Sequence, residues 1–133
     1  MLGSTCLGGR PAILVVDDQP EIADFLKACL DRKGDYFVAI AYEGDFALSV
    51  LSALKIDIMI SDQDMPGLTG LELTKKARLI QPGIKIILHT GSPPNDVLCR
   101  ASGITEVLQK PVVLAVLYEA IEKLLKKPIE KTA

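Results

Sequence analysis

The sequence is poor in cysteine and has no tryptophan. Its three cysteines, Cys6, Cys29 and Cys99, are widely spaced and form no CxxC pair. Three cysteines, an odd number, at wide spacing and without a CxxC pair argue against a disulfide framework and against a structural zinc site. Scattered thiols of this kind fit a reducing compartment, and we therefore expect a cytoplasmic protein.

Long hydrophobic runs and an excess of one charge are also missing. The longest apolar runs, over 36–42 and 112–118, are far shorter than the roughly 20 residues that a membrane helix needs. Fifteen Lys and Arg against seventeen Asp and Glu give a net charge of −2, which provides no general attraction for nucleic acid. We expect neither a membrane span nor direct nucleic-acid binding.

The remaining composition is that of an ordinary globular domain. The chain has 133 residues, of which 49% are hydrophobic and 24% charged, enough for one packed core and too few for two. Residues 1–10 carry their only positive charge, Arg10, after the weakly apolar part, so they do not resemble a secretory signal. We expect a flexible leader over 1–10, one domain over 11–127 and a C-terminal tail over 128–133.

Short β-branched runs alternate with longer helical patterns from residue 12 onward. The runs predict strands over 12–16, 37–42, 57–61, 84–89 and 104–108. Helices are predicted after each strand, the last one running to about Lys127. This rhythm predicts a single doubly wound (βα)5 domain of the α/β class, with a five-stranded parallel sheet and helices on both faces.

The predicted helices carry apolar stripes. Phe25 falls on the stripe of the first helix, Phe46 on that of the second and Val113 on that of the last. Thr69, followed three residues later by Glu72, predicts a capping box at the start of the third helix. The fourth helix, which ends near residue 102, has the weakest pattern.

Polar residues follow the predicted strands where their carboxyl ends meet at one edge of the sheet. They are Asp17 and Asp18, Asp62, Thr90 and Lys110. Carboxylates about 4 Å apart repel by roughly 4 kcal/mol per pair at an effective dielectric constant near 20, so three of them imply a cation. An oxygen-only ligand set favours Mg²⁺, which commonly also binds substrate phosphate. Lys110 and the Thr90 hydroxyl suit the remaining phosphoryl oxygens, and one carboxylate would be the nucleophile.

Each of these residues also has a simpler explanation when it is taken alone. Paired acids often cap a helix N-terminus, Asp is a common turn residue, Thr often ends a strand and most lysines are surface groups. The joint placement at predicted strand ends favours a functional site. His89 alternates with Thr90 along its strand and is assigned no role.

Four stretches in this order and at these intervals resemble the receiver domains of two-component response regulators. They are DDQP over 17–20, SDQDMPGLTG over 61–70, HTG over 89–91 and QKP over 109–111. The resemblance extends from Ala12 to about Lys127. It implies the strand order 2-1-3-4-5, which the fold shares with other flavodoxin-like domains, and a cis peptide bond between Lys110 and Pro111.

The resemblance also implies roles for the residues at the sheet edge. Asp62 would accept a phosphoryl group from a histidine kinase or phosphotransfer protein, or from a small donor such as acetyl phosphate. Asp18 would bind Mg²⁺ directly and Asp17 largely through water, while Asp62 would supply one further oxygen. Asp64 would contribute only its backbone carbonyl. Thr90 would hydrogen-bond the phosphoryl group and Lys110 would pair with it.

The chain departs from the family pattern at two places. Val107 stands where the family usually has Tyr or Phe, which questions a switch based on aromatic rotation. Pro93 and Pro94 stiffen a stretch that the family usually leaves to small residues, so we expect an altered fourth helix.

Three functions stay open at this point. The leading one is a phosphorylation-dependent signalling switch that catalyses only its own phosphorylation and dephosphorylation. The others are a receiver-like interaction module that works without phosphorylation, and a Mg²⁺-dependent aspartyl phosphatase, for which Asp64 would be the additional acid. The helix 4, strand 5 and helix 5 face is a candidate homodimer surface.

Overall fold

Apolar, largely β-branched segments form the central sheet of the protein. The computed structural model describes residues 6–7, 9–92 and 94–126. The parallel strands are β1 (Arg10–Val16), β2 (Phe37–Ala41), β3 (Ile58–Ser61), β4 (Lys85–Thr90) and β5 (Glu106–Gln109). The helices are α1 (Pro20–Lys33), α2 (Gly44–Ala53), α3 (Gly70–Ile80), α4 (Asp96–Ser102) and α5 (Leu114–Lys126).

The strand β1 lies at the centre of the sheet. It pairs in parallel with β2, where Ala12 faces Phe37, and with β3, where Ile13 faces Ile58. The strands β4 and β5 continue the sheet beyond β3. The order is therefore 2-1-3-4-5, which confirms the predicted doubly wound fold.

The N-terminal segment differs from the flexible leader expected over 1–10. A two-residue strand, Cys6–Leu7, pairs antiparallel with the start of β1, and Arg10 already belongs to β1. Gly9, with a φ of 80°, provides the left-handed backbone between the two strands. Backbone pairing therefore orders part of a segment whose composition predicts no structure. The predicted tail over 128–133 lies outside the described residues.

The sheet separates two apolar cores. Leu14 and Val16 face a core formed with α2, α3 and α4, whereas Ile13 and Val15 face a core formed with α1 and α5. This alternation is that of a central strand covered on both sides. Because helices cover both faces, the carboxyl-terminal edge of the sheet is where polar groups can gather.

Three residues that we placed on apolar stripes are exposed, so those assignments are wrong. Phe25 and Phe46 are each 53% exposed and Val113 is 61% exposed. Phe25 precedes the buried Leu26, and Phe46 precedes the buried Ala47; a step of about 100° per residue moves each ring to the edge of the buried face. Val113 precedes α5, and its carbonyl accepts the amides of Val116 and Leu117.

Two element boundaries show how local hydrogen bonds decide what the apolar pattern leaves open. The predicted capping box is confirmed, because the Thr69 hydroxyl accepts the amide of Glu72 while the Glu72 carboxylate accepts the amide of Thr69. The strand β5 begins at Glu106 instead of 104, because the amide of Ile104 donates to the Cys99 carbonyl at the end of α4 and not to the sheet.

Across the described part of the chain, no helix has the length and apolar character of a membrane span.

Candidate functional site

Two of the acidic residues lie just past the ends of their strands, and backbone hydrogen bonds hold them there. The amide of Asp17 donates to Ala41 O at 3.2 Å, and that of Asp62 donates to Val16 O at 3.1 Å. These bonds continue the sheet pairing of β1 with β2 and of β3 with β1. The two side chains therefore lie at the same edge of the sheet.

The carboxylates of Asp17, Asp18 and Asp62 form one cluster. An oxygen from each lies within 4.8 Å of an oxygen from the others. Asp17 is 1% exposed and Asp62 is 6% exposed, while Asp18 is half-buried. The donor set therefore consists of oxygen alone and is held mostly away from bulk water, a combination that suits a hard divalent cation such as Mg²⁺.

Lys110 brings a positive charge to this cluster. Its Nζ lies 3.0 Å from Oδ2 of Asp17 and 3.3 Å from Oδ2 of Asp62. The backbone positions it, because the Lys110 amide donates to Thr90 O at 3.0 Å. The bond between Lys110 and Pro111 is cis, as the resemblance implied. The lysine therefore contacts two of the three carboxylates at once.

Burial and neighbouring charges shift the pKa values of Asp17 and Lys110 in opposite directions. Burial raises the pKa of Asp17, although the Gln19 amide, donating at 2.9 Å, and Lys110 favour the charged form. For Lys110, burial alone would lower the pKa, but the hydrogen bonds and charges of Asp17 and Asp62 outweigh it and raise the pKa. The lysine thus stays protonated at neutral pH, and ionising Asp17 carries a cost in the folded state.

Thr90 and Asp64 are placed differently from these charged residues. Thr90 is fully buried at the end of β4, and its hydroxyl oxygen accepts the amide of Ser92 at 3.1 Å. The Asp64 side chain is exposed and the acidic cluster does not include it. The structure thus brings Asp17, Asp18, Asp62 and Lys110 together, whereas the phosphoryl contact of Thr90 and the carbonyl role of Asp64 stay predictions.

Gln63 and Gly70 are two positioning residues that the sequence reasoning left without a role. The Gln63 amide donates to Asp62 Oδ1 at 2.7 Å, so it orients the carboxylate. The Gln63 carbonyl accepts the amide of Gly70, and its side-chain oxygen accepts that of Leu71 at 3.0 Å. A methyl group at Gly70 would collide with the Asp62 carbonyl and approach Gln63 Cα to 2.9 Å. The glycine that ends the 61–70 stretch was the available signal.

Comparison with known proteins agrees with this geometry. The model of the response regulator receiver domain family matches residues 13–122. The chain therefore belongs to this family of two-component signalling domains, which confirms the resemblance.

Individual relatives are similar over nearly the whole chain. Transcriptional regulatory protein GlrR of Escherichia coli (strain K12) is 36% identical over 126 residues, which are 92% of this chain and 28% of that protein. The chain thus spans little more than a quarter of that regulator.

Solved structures show the same fold. A CheY-like receiver domain protein from Methanospirillum hungatei JF-1 has a TM-score of 0.83 and 33% identity, covering 89% of this chain and 96% of its own. TrrA from Thermotoga maritima, in complex with Mg(2+)-BeF, has a TM-score of 0.77 and 34% identity, covering 86% of this chain and 98% of its own.

Proposed function

We propose that this receiver domain is a phosphorylation-dependent switch and that Asp62 is its phosphoacceptor. The observation that carries the proposal is the position of the Asp62 carboxylate, which lies 3.3 Å from the Lys110 ammonium and has an oxygen within 4.8 Å of oxygens of Asp17 and Asp18. A switch of this kind modifies only itself, so we do not regard the domain as a multiple-turnover enzyme.

The residues present support an in-line transfer to Asp62. A carboxylate oxygen attacks the phosphorus, the new O–P bond forms, and the bond from phosphorus to the donor breaks. One Asp62 oxygen is oriented by the Gln63 amide at 2.7 Å and the other lies near the Lys110 ammonium. Lys110 would stabilise negative charge on the incoming phosphoryl oxygens, and Thr90 would donate a hydrogen bond to them.

The acidic cluster fits a Mg²⁺ ion. Asp17, Asp18 and Asp62 would hold it, together with the backbone carbonyl of Asp64, and their oxygen-only donor set is the support for this choice. The bound ion supplies positive charge that neutralises the phosphoryl oxygens. The TrrA complex with Mg(2+)-BeF supports the same assignment by similarity.

The donor we propose is a histidine kinase or a phosphotransfer protein, with acetyl phosphate as a small substitute. Phosphorylation adds about −1.5 to −2 charges next to Lys110 and strong acceptor oxygens, which would bias the conformations of the loops after β4 and β5.

The surface of α4, β5 and α5 stays a candidate dimer face, since Val97, Val107 and Val116 are 65%, 36% and 45% exposed there.

The test is incubation with acetyl phosphate and Mg²⁺, followed by intact mass spectrometry. We expect one phosphoryl adduct per chain, of about 80 Da, and none in Asp62→Asn. Asp45→Asn is the matched control, because its exposed carboxylate in the first turn of α2 lies outside the acidic cluster, and it should still be labelled.

The other two functions predict different results. Absence of any adduct in the wild-type protein would favour a module that works without phosphorylation. Continued release of phosphate from free phosphoesters, many times per chain, would favour a phosphatase.

A further inference from the structure

Gly44, the first residue of α2, lies against the loop that joins β3 to α3. It is buried, and its φ is not positive, so its backbone conformation does not require glycine. A methyl group at this position would lie 2.8 Å from Cβ of Leu68 and 2.9 Å from its Cδ1. Carbon atoms in contact are normally about 3.5–4.0 Å apart. Leu68 therefore reaches its position only because residue 44 has no side chain.

Two apolar side chains anchor the acceptor loop, which comprises residues 62–69. Met65 is 7% exposed and belongs to the core formed with α2, α3 and α4, and Leu68 is partly buried against the same core. Backbone hydrogen bonds hold the two ends of the loop. Residues 64–68 form no backbone–backbone hydrogen bond within the described part of the chain. The position of this stretch therefore depends on how Met65 and Leu68 pack.

The stretch without backbone hydrogen bonds carries a proposed metal ligand. Under the proposed function the backbone carbonyl of Asp64, four residues before Leu68, binds Mg²⁺. This ion requires near-ideal octahedral geometry with oxygens at about 2.0–2.1 Å, so a small displacement of the loop weakens binding. A methyl group at Gly44 would meet Cβ of Leu68, which no change of rotamer can move. The backbone of the loop or of α2 would have to shift.

We propose that Gly44 and Leu68 are positioning residues for Mg²⁺ binding and phosphorylation. Their contact keeps the acceptor loop where the Asp64 carbonyl and the Asp62 carboxylate can bind the same ion. This inference rests on the proposed function of Asp62. Neither positioning residue belongs to the acidic cluster, so α2 acts on the site only through the packing of Leu68.

Titration of the whole protein with MgCl₂, followed by NMR, tests the proposal. Gly44→Ala should lower the Mg²⁺ affinity by on the order of tenfold, the lower end of the effect of changing groups that support metal ligands. In the metal-free variant, the amide signals of residues 63–68 should shift. Labelling of Asp62 by acetyl phosphate should be slower at limiting Mg²⁺ and should recover when the variant is saturated with Mg²⁺.

Ser49→Gly is the matched control for a general weakening of α2. Ser49 lies on the exposed side of the same helix. Glycine at this position lowers helix stability but places no atom against Leu68. The control should lower the thermal unfolding midpoint and leave the Mg²⁺ affinity unchanged.

Substitutions at Leu68 test the contact itself. Leu68→Gly removes Cβ, Cγ and Cδ1, the three atoms that a methyl group at Gly44 would approach. Adding Gly44→Ala to this variant should therefore cost little further Mg²⁺ affinity, and such non-additivity is typical of residues in direct contact. Leu68→Ala shortens the anchor without adding bulk. It should weaken Mg²⁺ binding, which keeps the proposal testable even where Gly44→Ala prevents folding.

Two results would overturn the inference. One is an unchanged Mg²⁺ affinity in both Gly44→Ala and Leu68→Ala, and the other is a set of NMR shifts confined to α2 that leaves the acceptor loop unaffected. A wild-type protein that neither binds Mg²⁺ nor is labelled would refute the proposed function instead. A wild-type protein that does both, beside a Gly44→Ala variant of equal affinity, would refute this inference alone.

Discussion

The Lys110 ammonium lies closer to Asp17, at 3.0 Å, than to the candidate phosphoacceptor Asp62, at 3.3 Å. One cation therefore compensates two buried carboxylates, of which one would bind a metal ion and the other would receive the phosphoryl group. Any change at either acid alters the electrostatic environment of the other through this shared contact.

Replacing Lys110 by Met should destabilise the protein more in the absence of Mg²⁺ than in its presence. Without the ammonium, the buried carboxylates repel one another, and we expect a loss of about 2 kcal/mol in the free energy of unfolding. Added Mg²⁺ should restore more stability to this variant than to the wild type, because binding to the folded state shifts the equilibrium. Urea unfolding with and without MgCl₂ measures both effects.

Lys55→Met is the matched control for that variant. Lys55 lies 3.9 Å from Asp57, and its side chain is 38% exposed. At this distance the two charges barely form an ion pair, and a partly exposed pair of this kind contributes about 0–1 kcal/mol, so the change should be small. Equal losses in the two variants would contradict a special role for Lys110.

Replacing Asp17 by Asn should stabilise the metal-free protein at neutral pH. The folded state raises the pKa of Asp17 above its ordinary value of 3.8, so it binds the proton more tightly than the unfolded chain does. Wild-type stability is therefore lost as pH rises from about 3.8 through the raised pKa. Asn cannot ionise, and Lys110 still contacts the Asp62 carboxylate in the variant. We therefore expect the free energy of unfolding to rise by about 1 kcal/mol at pH 7.

The pH dependence separates this effect from other causes. The gain should vanish below pH 3.8, where the wild-type carboxyl is protonated in both states. Unfolding curves at several pH values measure it. Asp64→Asn, at an exposed carboxylate, should show no comparable trend, and a variant destabilised equally at every pH would refute the explanation.

Replacing Gly70 by Ala should disturb both stability and phosphorylation. The new Cβ would collide with the Asp62 carbonyl and lie 2.7 Å from Leu88 Cδ1, so the start of α3 has to move. We expect a loss of about 2 kcal/mol and slower labelling of Asp62 by acetyl phosphate. Gly83→Ala places its Cβ where nothing lies within 4 Å and should leave the labelling rate unchanged.

Replacing Gln81 by Ala should cost about 2–3 kcal/mol. Its side-chain nitrogen donates to Leu51 O at 2.7 Å and to Leu54 O at 2.6 Å, and its oxygen accepts the amide of Ile56 at 2.9 Å. The substitution would leave these three backbone groups without their partner. Chemical denaturation measures the loss. Gln19→Ala, at an exposed position whose side chain caps nothing, should change stability by less than about 0.5 kcal/mol.

The strand pattern predicted the order of elements well because it depends on local composition. Buried β-branched runs define β1 and β3, and the same rule places Asp17 and Asp62 at one edge. The edges of helical faces were less predictable. A large ring such as Phe25 has the hydrophobicity of a core residue, and only tertiary packing decides whether it reaches the core.

The finer details of the site depend on contacts between distant parts of the chain. The bond from the Ser92 amide to the Thr90 hydroxyl depends on a loop conformation, and the Gln81 side chain bonds groups at least 25 residues away in sequence. No periodicity encodes such contacts. They follow from side-chain rotamers once the backbone is in place.

Gln63 forms hydrogen bonds both with the Asp62 carboxylate and with the start of α3. Its amide contacts the Asp62 carboxylate, and its carbonyl and side chain hold the first two amides of α3. A new group on that carboxylate would pull directly on the first turn of α3. The first turn of α3 should therefore respond structurally when the Asp62 carboxylate is modified.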